Sequence, residues 1–175
     1  MKDKFEDFRY PSDRLYWVSH SPNHYWLVQE EDGSAKVGLT HFFGSRIGKI
    51  HSVTLKAHEG KKCERGKSLG IVKAENYSVI LHYPLSGEVA AVADVAKHPT
   101  LINDSPYDEG WLLKISPDPP LDLQLENWVH PTEDQEKLRS FVEQEVKNKA
   151  LLEDDCCPDL LKGSKVVRRR RRKTT

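Results

Sequence analysis

The chain is poor in cysteine and has no long apolar run. Its 175 residues include three cysteines, Cys63 by itself and Cys156 next to Cys157. Three thiols make no disulfide framework, so we expect a reducing compartment. No apolar stretch reaches the roughly 20 residues that span a membrane, and the first residues lack the apolar core of a signal peptide. These absences predict a cytoplasmic protein without a membrane span.

Motifs of the common enzyme classes are also missing. The sequence contains no GxGxxG loop, no P-loop and no convincing Ser-His-Asp order, and its eight histidines form no spaced pair. Cys156 and Cys157 follow three acidic residues, which would raise the pKa of a thiol rather than activate it. A redox or metal role for the two adjacent cysteines stays open beside an incidental one. The sequence therefore predicts a protein without an active site of its own.

The zero net charge hides a strong asymmetry. Residues 165–175 hold seven of the 27 basic residues and none of the 27 acidic ones, which leaves a net charge of −7 before them. A basic tail of this kind can bind phosphates or an acidic partner protein, or can simply be solvated. Its core is a run of five arginines, Arg168, Arg169, Arg170, Arg171 and Arg172. We predict a flexible, cysteine-containing basic tail over 153–175, with an acidic partner as one of its roles.

Short apolar segments separated by turn residues predict an all-β domain over 24–116. Residues 49–55 alternate apolar and polar side chains, as a half-buried strand does. Gly60 and Gly66 each indicate a tight turn with positive φ. The predicted strands are 24–28, 36–39, 49–55, 68–72, 78–82, 88–92 and 112–115. So many short strands at regular spacing favour a β-sandwich or flattened barrel with small helices at its edges.

The flanking segments differ in composition from this domain. Residues 1–23 are aromatic and polar and predict an N-terminal arm, and prolines in 117–131 predict a stiff linker. Thr132 and Gln135 have capping-box spacing before an amphipathic helix over 132–152. Trp128 is hard to bury from a linker, so we expect it to anchor that helix or to contact a partner.

Five segments, in order and at compatible spacing, resemble the glycine cleavage system H protein of the biotinyl/lipoyl domain superfamily. They are 23–26, 37–42, the glycine pair 60 and 66, 84–89, and 103–112. The resemblance implies a lipoyl-domain fold and a lysine at a hairpin tip, joined to lipoic acid by an amide. In that family the cofactor supplies the chemistry and the protein presents it.

The residue at the family's lysine position is Asn76. The lysine of the family pattern stands ten residues after the glycine matched by Gly66 and eight before the proline matched by Pro84, and both counts end on Asn76. A carboxamide nitrogen is not a primary amine and cannot form the lipoyl amide. We therefore predict no lipoate at the usual site.

Three functional hypotheses follow from the resemblance. The first is a docking module for enzymes of a glycine cleavage or lipoate-dependent system. The second is a working carrier of aminomethyl or sulfur-bearing groups, with lipoate on Lys73, which stands in a local Val-Lys-Ala sequence. Moving the attachment point by three residues would exchange the inward and outward faces of the strand. The third is a scaffold subunit held in a larger assembly through 117–175.

Overall fold

The computed structural model describes residues 5–18 and 23–154, and the side chains up to residue 147. The strands are β1 (Leu15–Trp17), β2 (Tyr25–Gln29), β3 (Ala35–Leu39), β4 (Ile50–Leu55), β5 (Lys62–Cys63), β6 (Ser68–Ala74), β7 (Ser78–His82), β8 (Gly87–Val92), β9 (Trp111–Pro117) and β10 (Trp128–Val129). The helices are α1 (His41–Ile47), α2 (Leu101–Asp104) and α3 (Gln135–Asp154). Single turns of 3₁₀ helix cover Phe5–Asp7, Asp94–Ala96 and Leu121–Gln124.

Two antiparallel sheets pack face to face. The larger has the order β10-β1-β2-β3-β9-β8-β5, and the smaller has the order β4-β6-β7. Apolar side chains from both sheets fill the space between them, among them Val37 and Leu113 from the larger sheet and Val72 and Leu81 from the smaller. The sheets do not close into a barrel, and the flattened sandwich confirms the predicted all-β fold class.

Local sequence explains several caps and turns, including the turn predicted at Gly66. Thr40 caps α1, because its hydroxyl accepts a hydrogen bond from the Phe43 N–H at 3.2 Å. The β2–β3 turn is closed by the Asp32 carboxylate, which accepts bonds from the Ser34 N–H and hydroxyl at 2.9 and 2.7 Å. Gly66 has φ +92°, the left-handed value expected there.

Strand β4 departs from the predicted alternation. Ile50 and Val53 are buried, whereas His51 and Thr54 are exposed. The pairing register with β6 shifts between Ile50 and Ser52, which marks a bulge. Because a bulge adds one residue to one strand, it changes which side chains face the core, and period two cannot continue through it.

Both flanking segments belong to the folded body. The predicted arm contains β1, which pairs with β2, and the predicted linker contains β10, which pairs with β1. Trp128 is only 6% exposed and lies edge-on to Trp17, with ring centroids 5.4 Å apart. The prediction of a poorly buried Trp128 was wrong, since a single strand pairing carries it onto the sheet and into the core.

Helix α3 begins at Gln135, three residues later than the start of the predicted segment 132–152. The Asp134 carbonyl accepts a hydrogen bond from the Leu138 N–H at 3.1 Å, and Thr132 lies before the first helical residue. Leu138 and Val142 are buried in a second apolar cluster, which also contains Phe5, Phe8, Tyr16, Trp26, Phe42 and Val129. The amphipathic pattern was therefore a correct signal for packing against the body.

The rest of the tail lies outside the described residues. This applies to Cys156, Cys157 and Arg168–Arg172, whose predicted roles stay predictions. None of the helices in the described part is long and apolar enough to cross a membrane.

Candidate functional site at the hairpin apex

The apex of the β6–β7 hairpin is a tight turn over Ala74–Tyr77. The Ala74 N–H donates to the Tyr77 carbonyl at 2.9 Å, and below this bond Lys73 pairs with Ser78. Glu75 and Asn76 are the two central residues of the turn, and both are exposed. The hairpin therefore presents Asn76 at its extreme tip, where the sequence predicted it.

Three hydrogen bonds hold this apex against the corner between α1 and β4. The Glu75 N–H donates to the Lys49 carbonyl at 2.9 Å, and the Lys49 N–H donates to the Glu75 Oε1 at 3.1 Å. The Asn76 N–H donates to the Ile47 carbonyl at 3.1 Å, next to the end of α1. Backbone groups on both sides of the turn are thus bonded to the body, which restricts the movement of the apex.

Gly48 makes this close approach sterically acceptable. It has φ +85°, and a Cβ at this residue would lie 3.0 Å from the Glu75 Oε1 and 3.1 Å from the Asn76 Nδ2. Both the backbone conformation and the available space therefore favour glycine. No sequence pattern indicated the contact between Gly48 and the hairpin, which only the tertiary structure showed.

Asn103 supports the same corner from α2. Its Oδ1 accepts from the Ile50 N–H at 2.8 Å, and its Nδ2 donates to the Gly48 carbonyl at 3.1 Å. A surface cavity of about 580 Å³ opens beside it. The cavity is lined by Gly44, Ser45, Gly48, Lys49, Thr100, Asn103 and Asp104. Asn103 is the first residue of the matched segment 103–112, but the sequence did not indicate its contact with Gly48 or the cavity beside it.

Lys73 lies below the apex rather than at it. It is exposed and stands in the middle of its sheet, paired with Ser52 on β4 and Ser78 on β7. Its neighbour Val72 is buried, so Lys73 points to the outer face of the small sheet. Lys73 and Asn76 are only three residues apart in the chain, but Asn76 lies at the tip of the hairpin and Lys73 on the outer face of its sheet.

A buried ionic cluster, absent from the sequence predictions, attaches α3 to the body. The Arg46 Nη1 lies 2.9 Å from the Glu145 Oε1, and the His24 Nε2 lies 3.4 Å from the same oxygen. Glu145 is 7% exposed and His24 is 2% exposed. The sequence could have indicated this cluster, because Glu145 lies on the apolar face of the predicted helix. A residue buried on such a face is rarely charged unless it has a partner.

Burial and pairing move the pKa values of this cluster. Burial lowers the pKa of His24, and the Glu145 carboxylate opposes that shift only in part. Burial would raise the pKa of Glu145, but the hydrogen bond from His24 and the charge of Arg46 bring it below its ordinary value. The cluster is therefore favourable with a neutral His24 and an ionised Glu145.

Acid should destabilise the protein through His24. The unfolded chain takes up the His24 proton near the ordinary pKa of 6.5, whereas the folded chain does so only at lower pH. The free energy of unfolding should therefore fall below about pH 6.5, by up to about 1.4 kcal/mol per pH unit for this group. Urea unfolding at a series of pH values measures the slope.

Two histidine variants make this test specific. His24→Gln should flatten the slope between pH 5 and pH 6.5, while the exposed His98→Gln should leave it unchanged. Some slope should remain in His24→Gln, because burial also lowers the pKa of His41. An identical slope in His24→Gln and the wild type would show that His24 is not the group responsible.

Cys63 and possible metal ligands are the other candidate groups in the described part of the chain. Cys63 is half-buried and its thiol donates to the Leu85 carbonyl at 3.6 Å, while burial raises its pKa to about 11. A protonated thiol is a poor nucleophile. Within 5–18 and 23–154, no group of three His, Cys, Asp or Glu side chains could hold a metal ion.

Two packed sheets that carry a tight exposed hairpin agree with the lipoyl-domain fold that the resemblance implied. The family model described as Glycine cleavage H-protein matches residues 15–145. The chain therefore belongs to the glycine cleavage H-protein family. Proteins of this family are carriers without a catalytic activity of their own, so this chain is a carrier-like or accessory protein rather than an enzyme.

Individual relatives agree with this assignment. The chain is 31% identical over 152 residues to glycine cleavage system H protein 2 of Aquifex aeolicus, covering 85% of this chain and 91% of that protein. It is 35% identical over 117 residues to the mitochondrial H protein of Oryza sativa subsp. indica, covering 66% and 70%. A crystal structure of an H protein from Mycobacterium marinum superposes with a TM-score of 0.60 at 23% identity, covering 78% and 98%. This last likeness shows the fold.

Proposed function

We propose that this protein is a docking module of a glycine cleavage or lipoate-dependent system and carries no lipoate at the usual position. The observation that carries the proposal is the carboxamide of Asn76 at the hairpin apex. Family members carry lipoate on a lysine, and the amide that holds it needs a primary amine. Asn76 keeps the exposure of an attachment site without the nucleophile.

The contacts around the apex support recognition rather than transport. Glu75 is bonded to Lys49 through both its N–H and its carboxylate, and the Asn76 N–H is bonded to Ile47. A surface held in one conformation loses little entropy when a partner binds it. A turn held in this way therefore suits a binding surface.

The alternative is a working carrier of aminomethyl or sulfur-bearing groups with lipoate on Lys73. The exposure of the Lys73 amine favours it. Its position in the ladder argues against it, because Lys73 pairs on both sides, with Ser52 and Ser78, and lies three residues before the tip. An enzyme that attaches lipoate and recognises the tip of the hairpin would contact Asn76 rather than Lys73.

Intact-mass spectrometry of the full chain distinguishes the docking module without lipoate from the carrier with lipoate on Lys73. The protein is expressed in cells that also lipoylate a co-expressed H protein with the usual lysine, which serves as the positive control. We expect no lipoyl adduct on the wild-type chain, because Asn76 offers no amine. An adduct that disappears in Lys73→Ala, but persists when the exposed Lys67 is changed to alanine, would establish the carrier reading instead.

Membership of the family indicates the class of partner enzyme. H proteins interact with the P, T and L proteins of glycine cleavage, and we propose these enzymes as partners here. The scaffold alternative rests on 117–175, although β10 within that segment is already part of the folded sheet. A cytoplasmic location stays a prediction, since the rice relative is mitochondrial by name.

A further inference from the structure

We propose that the outer face of the small sheet binds an acidic surface on one of the proposed partner enzymes, around an apolar contact made by Ile80. We call this surface the β4-β6-β7 face. It consists of the outward side chains Ser52, Thr54, Ile71, Lys73, Ser78 and Ile80. The proposal rests on the proposed docking function and adds where docking takes place and what chemistry the partner offers.

The centre of the face is apolar. Ile71 and Ile80 are directly paired across β6 and β7, so their side chains lie side by side. Ile80 is 46% exposed, and of the described residues only Leu123 is another large apolar side chain with such exposure. An apolar pair on the open face of a sheet is a suitable anchor for a partner's apolar side chain.

The surroundings of this apolar pair are basic, unlike the rest of the molecule. The 18 residues of β4, β6 and β7 contain no Asp or Glu. Together, residues 49–56 and 67–82 hold four lysines and one glutamate, a net charge of +3. The rest of residues 1–164 holds 16 basic and 26 acidic residues, a net charge of −10. The small sheet is thus a basic surface on an acidic body.

The lysines that produce this charge are available to a partner. They are Lys49, Lys56, Lys67 and Lys73, all exposed. The single acidic residue of the two segments, Glu75, is engaged by the Lys49 N–H. Charge complementarity therefore selects a partner surface that bears carboxylates.

The same charges argue against two other occupants. The arginine-rich tail has the same sign as the face, so its approach is repelled. A symmetric contact with a second copy through this face would place two surfaces of net positive charge against each other, which is also unfavourable. An acidic patch on a different protein meets neither objection.

Calorimetric titration of the full chain with the purified P, T and L proteins of the same organism tests the proposal. We expect at least one enzyme to bind, and Ile80→Glu and Lys73→Glu each to weaken that binding by about tenfold or more. Raising the salt from about 50 to about 300 mM should weaken wild-type binding more than binding of Lys73→Glu. Thermal unfolding should be nearly unchanged, because both side chains point to solvent.

Two matched variants control for general effects. Leu123→Glu makes a corresponding change at the other large apolar side chain that is exposed among the described residues, at 69%. Lys147→Glu makes the same charge reversal on α3. Both should bind the enzyme within about twofold of the wild type, since neither position belongs to the β4-β6-β7 face.

The possible outcomes distinguish failure of the proposed β4-β6-β7 face from failure of the proposed docking function. Binding that survives both Ile80→Glu and Lys73→Glu, or that Leu123→Glu weakens equally, overturns the surface and leaves the docking function standing. No binding of any enzyme by the wild type overturns both. A wild-type dimer in sedimentation velocity that Ile80→Glu dissociates would identify a second copy as the occupant and overturn the proposed partner.

Discussion

Replacing Glu145 with alanine should lower the free energy of unfolding by about 3 kcal/mol. The variant leaves the Arg46 guanidinium without the carboxylate that lies 2.9 Å from it, in a site where the Arg46 side chain is only 16% exposed. Removing one member of a buried ion pair costs more than the pair contributes, because the remaining charge stays desolvated. Urea unfolding of the full chain at neutral pH measures the loss.

Glu143→Ala provides the matched control for this prediction. Glu143 is on the same helix, and its carboxylate lies 3.7 Å from the Arg139 Nη1, but its side chain is 53% exposed. An exposed pair of this kind contributes less than about 1 kcal/mol. Equal losses for Glu145→Ala and Glu143→Ala would mean that α3 is held to the body by its apolar face and not by the ionic cluster.

Gly87→Ala should destabilise the protein by about 4 kcal/mol, a sum of overpacking and backbone strain. Gly87 is the first residue of β8, with φ +150°. A Cβ there would lie 2.0 Å from the Ser116 carbonyl oxygen on β9, far inside van der Waals contact. Because the obstacle is backbone rather than a flexible side chain, the two strands would have to separate locally. The urea midpoint and the yield of folded protein report the effect.

Gly66→Ala separates steric crowding from backbone conformation. Gly66 has φ +92°, but nothing lies within 4 Å of an added Cβ. The expected loss is therefore only about 1 kcal/mol, the cost of a left-handed conformation for a residue with a side chain. If Gly66→Ala proved as damaging as Gly87→Ala, close approach of β9 would not be the cause.

The central domain was predictable because its signals are local. The β6–β7 hairpin followed from two apolar runs around a polar tip, and Asn76 was correctly expected at that tip. The cap at Thr40 and the turn at Gly66 also depend only on nearby residues. Each of these features is decided within a few residues of the chain, where side-chain chemistry and φ preferences act directly.

The errors occurred where distant segments meet. Prolines in 117–131 indicated a linker, but β10 finds its hydrogen-bond partners on β1, more than 100 residues earlier. The alternation predicted for β4 is interrupted at His51 and Ser52, two consecutive polar residues, and the pairing with β6 shifts at the same place. Propensity describes a segment by itself, and a tertiary partner can override it.

The sequence by itself determined the all-β class, the family resemblance and the chemical nature of the apex, because residue type and spacing are sufficient for these. The amine that Asn76 lacks is a property of one side chain and needs no coordinates. Only the tertiary structure decided that Glu75 and Lys49 hold the apex, that Glu145 joins His24 and Arg46, and that Ile80 lies on a basic face. The physical reason is that these contacts join residues far apart in the chain, and no local pattern specifies which of them meet.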